Sequence, residues 1–355
     1  MNLRTQSRVL YEQFDLPIFQ NRMYDTAFEA KTCQRGDVRL IEDGDTGLIY
    51  NATFRPEFMI YDASYQNEQA VSPLFRQHLE LVSQIIDRTM GKGNIIEVGC
   101  GKGFFLEMLQ AKGHDVVGFD PTYEGQNSRV QKRYFDHGAG LTADGIVLRH
   151  VLEHIQNPFE FLQQLQKANR GGGTIYIEVP RFEWICEHRA WFDVFYEHVN
   201  YFRHSDFCRM FGTIVEGGAL FGDQYLYVVA DLATLKRPRV DPSEMVDFPS
   251  NFADRITALI GAPSAQSAIW GGASKGVIFA MLKARAGYPI YTVIDINPAK
   301  QGKYLPATGI QVQSPSDGLS KLPKGSTIYI MNSNYTDEIR KMSGNAFEYV
   351  PIDHA

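Results

Sequence analysis

Paired cysteines, a membrane-length apolar run and an excess of basic charge are all missing from this chain of 355 residues. Cys33, Cys100, Cys186 and Cys208 lie far apart with no CxxC spacing, so a disulfide framework is excluded and reduced, independent thiols are expected. No apolar stretch approaches the roughly 18 residues that span a bilayer. The opening Met-Asn-Leu-Arg-Thr-Gln has nothing of a signal peptide's apolar core. A cytoplasmic location without membrane contact is therefore expected. Against 41 acidic side chains stand 35 lysines and arginines, a net charge of -6, which offers no basic field for nucleic acid. An anionic small molecule would have to be met by local basic residues. Low-complexity tracts and sequence repeats are absent too. The length allows two or three domains.

What the chain does have is glycine placed at the ends of apolar runs. Ile95-Ile96-Glu97-Val98-Gly99-Cys100-Gly101-Lys102-Gly103 is a β-branched run with an acid and three alternate glycines, and the helix-like Phe104-Phe105-Leu106-Glu107-Met108-Leu109 follows. Strand, tight turn and helix start follow from that order, and the glycines permit positive φ and close approach of a ligand. A dinucleotide fold asks for GxGxxG, whereas the spacing here is GxGxG. A second apolar run, Val116-Val117-Gly118-Phe119, ends in Asp120. In a doubly wound sheet a carboxylate there can accept ribose hydroxyls, in SAM (S-adenosylmethionine) as in NAD.

The acid-GxGxG pattern resembles motif I of the class I SAM methyltransferases, whose loop cradles the amino-acid half of the cofactor. The resemblance implies an α/β, Rossmann-like domain in which Glu97, Gly99, Gly101, Gly103 and Asp120 hold SAM. Arg149-His150-Val151-Leu152-Glu153-His154 follows a predicted strand at 144–148, at the end where ligands sit in open parallel sheets. Its LEH resembles the segment that lines the cofactor site in the same methyltransferases, which adds His150 to the cofactor set. A structural hydrogen bond is the alternative role for His150, and a loop cap before Asn157-Pro158 is the alternative for His154.

Three parts are expected along the chain. Residues 1–71 form a small N-terminal segment in which 38–41 and 47–50 flank the acidic turn Glu42-Asp43-Gly44-Asp45-Thr46 as two short strands. Residues 72–235 form the SAM-binding domain. A helix from Ser72-Pro73 to Met90 opens it, with apolar residues at helical spacing, and strands at 144–148 and 173–179 with a crossover helix at 159–168 continue it. After the polar linker Lys236-Arg237-Pro238-Arg239, residues 236–355 form a second Rossmann-like α/β domain. Its predicted elements are a helix at about 243–259, a strand at 267–270, the glycine turn Gly271-Gly272-Ala273-Ser274-Lys275-Gly276, and strands at 291–295, 326–331 and 347–352.

The densest chemistry-bearing cluster is residues 192–202, where Tyr196, Glu197, His198 and Tyr201 bring an acid, a base and two phenols together. Histidine titrates near neutral pH, glutamate can orient it, and a phenol can donate to a developing oxyanion. Such a set suits proton removal from carbon. An aromatic lid over a ligand is the plainer alternative. Glu197-His198-Val199-Asn200-Tyr201-Phe202 resembles the EHxxYF signature of the sugar C-methyltransferases that act on nucleotide-linked 4-keto-deoxysugars. Trp270-Gly271-Gly272-Ala273-Ser274-Lys275-Gly276, Asp295-Ile296-Asn297-Pro298 and Asn332-Ser333-Asn334-Tyr335 extend the resemblance over most of the C-terminal domain. It implies SAM-dependent methylation at the carbon beside a ketone of a nucleotide-linked keto-deoxysugar, through an enolate. His198 would be the base, Glu197 would orient it, and Tyr196 or Tyr201 would hold the enolate. The nucleotide would rest on the C-terminal domain. Tyr65 and Asn67 join the substrate set by the same resemblance. Lys275, in the second glycine turn, would contact the substrate pyrophosphate or belong to inherited scaffold.

Members of that family commonly hold a structural zinc through N-terminal cysteines. Here Cys33 stands alone, with Asp43-Gly44-Asp45-Thr46-Gly47 in place of a CxxCG knuckle. One thiolate does not make a four-ligand zinc site, so no metal is expected. The chain departs from the family again at Phe195, where a tyrosine is expected three positions before the histidine. Competing readings are an O- or N-methyltransferase on a small metabolite, a non-catalytic SAM-binding protein and a dinucleotide oxidoreductase. The expected partner is a small molecule, with no nucleic acid and no membrane, and the expected state is a monomer or homodimer.

Overall fold

The computed structural model describes residues 6–60, 70–260 and 266–353, so Tyr65 and Asn67 lie outside the described residues. Three sheets organise these residues. The N-terminal sheet runs in the order β1 (Arg8–Pro17), β2 (Arg35–Glu42), β3 (Ile49–Asn51) and β9 (Asn200–Tyr201). β2 and β3 form the predicted antiparallel pair, with Glu42 opposite Ile49. Asp43 closes their turn, its Oδ1 accepting the N–H groups of Asp45 at 3.1 Å and Thr46 at 2.7 Å. This side-chain turn orders the chain where a metal knuckle was the family expectation. β1 has no counterpart in the sequence expectations, because its side chains are mostly exposed and carry little apolar alternation. β9 comes from the EHxxYF segment and pairs Tyr201 with Ile49, so that segment is stitched into the N-terminal sheet.

The central sheet contains β4 (Asn94–Val98), β5 (Asp115–Phe119), β6 (Val130–Gln131), β7 (Gly145–Arg149), β8 (Thr174–Pro180), β10 (Ile214–Leu220) and β11 (Tyr225–Asp231). Their order is β10-β11-β8-β7-β4-β5-β6. β4 pairs in parallel with both β5 and β7, so the strand order reverses between β4 and β7 and opens a crevice at their carboxyl ends. The helix Pro73–Met90 covers one face. Ser72 caps it by accepting the N–H groups of Leu74 and Phe75, Pro73 opens its first turn, and Phe75, Leu79, Val82, Ile85 and Ile86 are buried.

The C-terminal sheet is parallel throughout, in the order β14 (Val312–Gln313), β13 (Thr292–Ile294), β12 (Ser267–Trp270), β15 (Thr327–Ile330) and β16 (Glu348–Pro351). It too reverses at its first strand, and the glycine turn joins β12 to the helix Lys275–Arg285. The predicted helix at 243–259 is shorter than expected. A 3-10 turn spans Pro242–Glu244, and the helix proper is only Asp254–Ile260. Pro249 cannot continue a helix from its N-terminal side, and the backbone N–H of Val246 is bonded to Glu42 instead. Among the described residues no helix is long and apolar enough to cross a membrane.

A buried charge cluster fastens the N-terminal sheet to the central domain. Arg203 donates to Asp206 Oδ1 at 2.9 Å and to the Gly47 carbonyl at 2.8 Å. Its other amino group donates to the Glu244 carbonyl at 2.6 Å and lies 3.5 Å from Glu42. Removing one member of such a set leaves an uncompensated buried charge. Asp206→Ala is expected to cost about 3–5 kcal/mol of unfolding free energy, read from the urea midpoint. A loss below about 1 kcal/mol would mean that the cluster behaves like a surface ion pair.

Candidate active site

The loops after β4 and β7 and those after β12, β13 and β15 border one cavity of about 380 Å³. Both glycine turns therefore face the same space, one from each Rossmann-like sheet.

In the first turn Gly99, Gly101 and Gly103 all have positive φ, of 73°, 55° and 83°. A Cβ on Gly99 would sit 2.4 Å from Val151, whereas one on Gly101 would meet nothing within 4 Å. The first glycine is needed for packing and the second leaves open space. Glu97 lines the cavity, is 3% exposed, and its Oε2 is buried without a hydrogen-bond partner. Burial pushes its carboxyl up to about 7, with Arg149 opposing and Asp120 adding to the rise. Asp120 stands behind the loop. Its Oδ2 accepts the Gly101 N–H at 2.9 Å and its Oδ1 accepts the N–H and hydroxyl of Thr122 at 2.8 and 2.7 Å. Asp120 thus fixes the glycine turn, and it is not among the cavity's lining residues.

His150 lines the cavity with its backbone at φ +52°, a conformation a non-glycine residue adopts only when its surroundings hold it. Its N–H is bonded to the Glu178 carbonyl at 2.9 Å. Its ring lies between two carboxylates, Nδ1 3.3 Å from Glu153 and Nε2 3.0 Å from Glu178. Burial alone would lower its pKa, but these two acids lift it to about 9, so the ring carries a positive charge at neutral pH. Glu178, fully buried, also accepts from His78 at 2.9 Å, from the Tyr176 hydroxyl at 2.6 Å and from Arg149 at 3.3 Å. Burial disfavours its charge, yet Arg149, His150 and His78 hold its carboxyl well below the usual range. Glu178 belongs to no recognisable motif in the sequence. Its available signal is a lone acid inside an otherwise apolar buried strand.

The EHxxYF segment divides its residues. His198 lines the cavity beside His154, ring centroids 5.1 Å apart. Burial foremost, and then the neighbouring His154, His150 and Lys275, depress its pKa well below the ordinary value, which leaves it neutral. Tyr196 and Tyr201, expected at the enolate, are not among the lining residues. The Tyr196 hydroxyl accepts the Arg55 N–H at 2.9 Å, and its ring packs where a Cβ on Gly36 would meet it at 2.4 Å. The Tyr201 hydroxyl accepts the N–H of Phe195 at 3.2 Å and lies 3.3 Å from its carbonyl. The Tyr196 phenol is thus taken up by the N-terminal sheet, and the Tyr201 phenol by the backbone of Phe195, with its ring edge-on to His198 at 6.3 Å between centroids. Glu197, expected to orient His198, instead accepts the Gln20 N–H at 2.8 Å with its carboxylate. Its carbonyl accepts from Nδ1 of His154 at 2.8 Å, so it orients the second histidine.

In the second glycine turn Lys275 lines the cavity, paired with Asp193 at 2.9 Å and packed over the rings of Trp184 and Phe192. It clamps the central domain to the C-terminal one. Next to it Gln224, at the tip between β10 and β11, exchanges two hydrogen bonds with Asn332, at 3.1 and 2.8 Å. After β13, Asp295 accepts the N–H groups of Gly272 and Asn297, both at 2.8 Å, and Lys300 lies 3.4 Å from its carboxylate. An acid at the end of the second strand, behind a glycine turn at the end of the first, is the arrangement of nucleotide-binding sheets.

Residues 70–213 match the family model described as a methyltransferase domain. The chain is 23% identical over 287 residues to the C-methyltransferase NovU of Streptomyces niveus, covering 69% of this chain and 67% of that one. It is 25% identical over 117 residues to a protein of Mycolicibacterium smegmatis described as a probable S-adenosylmethionine-dependent methyltransferase, covering 30% of this chain and 45% of that one. Among solved structures, it is similar to the 1,6-didemethyltoxoflavin-N1-methyltransferase of Burkholderia thailandensis, at a TM-score of 0.34 and 16% identity over 43% of this chain and 77% of that one. Residues 70–213, which supply β4 to β8 of the central sheet, thus form a methyltransferase domain of the class I, Rossmann-like type.

Two outcomes follow from the site's geometry. A carboxyl whose pKa rises on folding contributes stability that is complete below its unfolded pKa and is lost as pH rises through the folded value. For Glu97 that window runs from the ordinary 4.5 to about 7. Glu97→Gln should therefore gain in melting temperature relative to the parent as pH rises from 5 to 8, and a constant difference would mean an unperturbed carboxyl. Tyr196→Phe should lose about 1 kcal/mol of stability with its hydrogen bond to Arg55 and keep full ligand binding. A large loss of binding at unchanged stability would return the phenol to the site.

Proposed function

We propose that this methyltransferase-domain chain transfers a methyl group from SAM to the carbon beside a ketone of a nucleotide-linked keto-deoxysugar. The observation that carries the reading is the single cavity that holds the GxGxG loop, neutral His198 and the second glycine turn together. The likeness to NovU, a C-methyltransferase, supports carbon as the acceptor.

The residues present suit SAM. The open space at Gly101 and the unsatisfied Oε2 of Glu97 form a cradle with an acceptor at its edge, and His150 adds a fixed cation for a carboxylate. When bound, SAM supplies an electrophilic methyl on a sulfonium. Asp120 and the loop glycines hold the turn's shape. Asp295 and the turn at Gly271 suit a nucleoside diphosphate on the acceptor, which leaves its sugar toward the centre of the cavity.

His198 would take the proton. Its lone pair is available at neutral pH because burial and neighbouring cations hold it unprotonated. The same cations, His150 and Lys275, favour the negative charge that develops on the ketone oxygen once the proton leaves. A base weakened by positive surroundings is therefore matched to a product stabilised by them. The carbon bond to the methyl would form as the bond to sulfur breaks, the sulfonium leaving as the neutral thioether of S-adenosylhomocysteine and the abstracted proton remaining on His198.

Mass spectrometry in deuterated water, with SAM and a nucleotide-linked 4-keto-6-deoxysugar, tests the reading. Methyl gain with deuterium at the carbon beside the ketone is expected, both falling by about 10²–10⁴-fold in His198→Ala. Full turnover in that variant would remove the histidine from the chemistry. Methyl gain on oxygen or nitrogen without exchange would move the acceptor atom.

A further inference from the structure

One group of donors on the cavity wall has a capacity that proton transfer does not use. Glu153, His154 and His198 each offer one ligand atom, and the three atoms lie within 4.8 Å of one another. All three residues line the cavity. His154 bonds through Nδ1 to the Glu197 carbonyl, which can only accept, so Nδ1 carries the proton and Nε2 keeps a lone pair. A carbonyl behind one ring nitrogen is the usual support of an imidazole that ligates through the other. Glu153 is 1% exposed, and its Oε2 is buried without a hydrogen-bond partner. His150 lies beside the other oxygen, Oε1, at 3.3 Å. Nδ1 of His198 is likewise buried without a partner.

We infer that Glu153, His154 and His198 form a site for a divalent transition-metal ion such as Zn²⁺, and that the ion inhibits the enzyme by taking the lone pair of the catalytic base. Two imidazole nitrogens and one carboxylate suit zinc, cobalt or nickel, whereas magnesium and calcium prefer all-oxygen sets. Donors around a tetrahedral ion with bonds of about 2.0–2.2 Å sit about 3.4 Å apart. The triangle, 4.8 Å across at most, would therefore contract by up to about 1.4 Å, a change in reach of side-chain rotation at Glu153 and His198. The fourth position would face the cavity. Nothing is oxidised or reduced, and no bond breaks: the ion accepts lone pairs that the two imidazoles and the carboxylate already hold. The inhibitory half rests on the role proposed for His198, while the metal site stands on its own donors.

Titration of the chelator-stripped full chain with Co²⁺ reads the site directly. One equivalent should bind with visible tetrahedral d–d bands that Zn²⁺ abolishes and Mg²⁺ does not. Affinity should fall at least about 10-fold in Glu153→Gln and in His154→Ala. Unchanged melting temperature and circular dichroism establish that each variant is folded, and the isosteric Glu153→Gln serves if His154→Ala is not. Zn²⁺ should suppress methyl transfer by the parent chain, and a chelator should restore it. Absence of stoichiometric Co²⁺ binding by the folded parent, or binding that survives in the folded variants, would overturn the site. Stoichiometric binding at full turnover would overturn the inhibition. If no sugar is methylated, the Co²⁺ titration still decides the metal, so the two failures are distinguishable.

Discussion

The carboxylate of Glu178 sits where no water reaches it, and the centre of the molecule is arranged around the need to neutralise it. His78 reaches it from the helix Pro73–Met90, Tyr176 from its own strand, and Arg149 and His150 from the end of the neighbouring strand. A buried acid is tolerated only with such company. The cost of losing any partner therefore locks the covering helix, the switch point and the left-handed turn at His150 into one arrangement. His150 in turn presents its charge to the cavity, so a buried acid determines the sign of the wall above it.

A second constraint is the path of the chain through residues 192–202. Between its two ends it leaves the central domain, contributes a short strand to the N-terminal sheet and returns. Phe195 and His198 face the cavity, while Tyr196, Glu197 and Tyr201 bind backbone groups on either side. The small N-terminal sheet thus acts on the site through support. It holds the loop that presents His198 to the cavity, and the Arg203 and Asp206 cluster fastens that sheet to the central domain.

The glycine turns were legible because their signal is local. An apolar run, an acid and alternate glycines need no distant partner to be recognised, and the structure brings Gly99, Gly101 and Glu97 to the cavity with His150. What sequence spacing could not give is direction. Tyr196 and Tyr201 are near His198 along the chain but neither lines the cavity with it, since the pairing of β9 with β3 is a contact over some 150 positions (Ile49 with Tyr201). Lys275 lies in a phosphate-binding pattern, yet its ammonium is paired with Asp193, in another domain. Glu178 carries no local signal of its role, because that role lies in what gathers around it. The short helix at Asp254–Ile260 follows from Pro249 and from a backbone bond to Glu42 that no periodicity foretells.

The pairing of Lys275 with Asp193, together with the exchange between Gln224 and Asn332, gives the cavity a composite ownership. The wall at Gly99 and Gly101 is built by the central domain, whereas the wall at Gly271 and Lys275 is borrowed from a neighbour held by a few polar contacts. Sequence change in the loops of that neighbour can reshape one wall without disturbing the other. The cavity can thereby vary in shape on one side and stay constant on the opposite one, provided that the clamp residues persist on both sides of the seam.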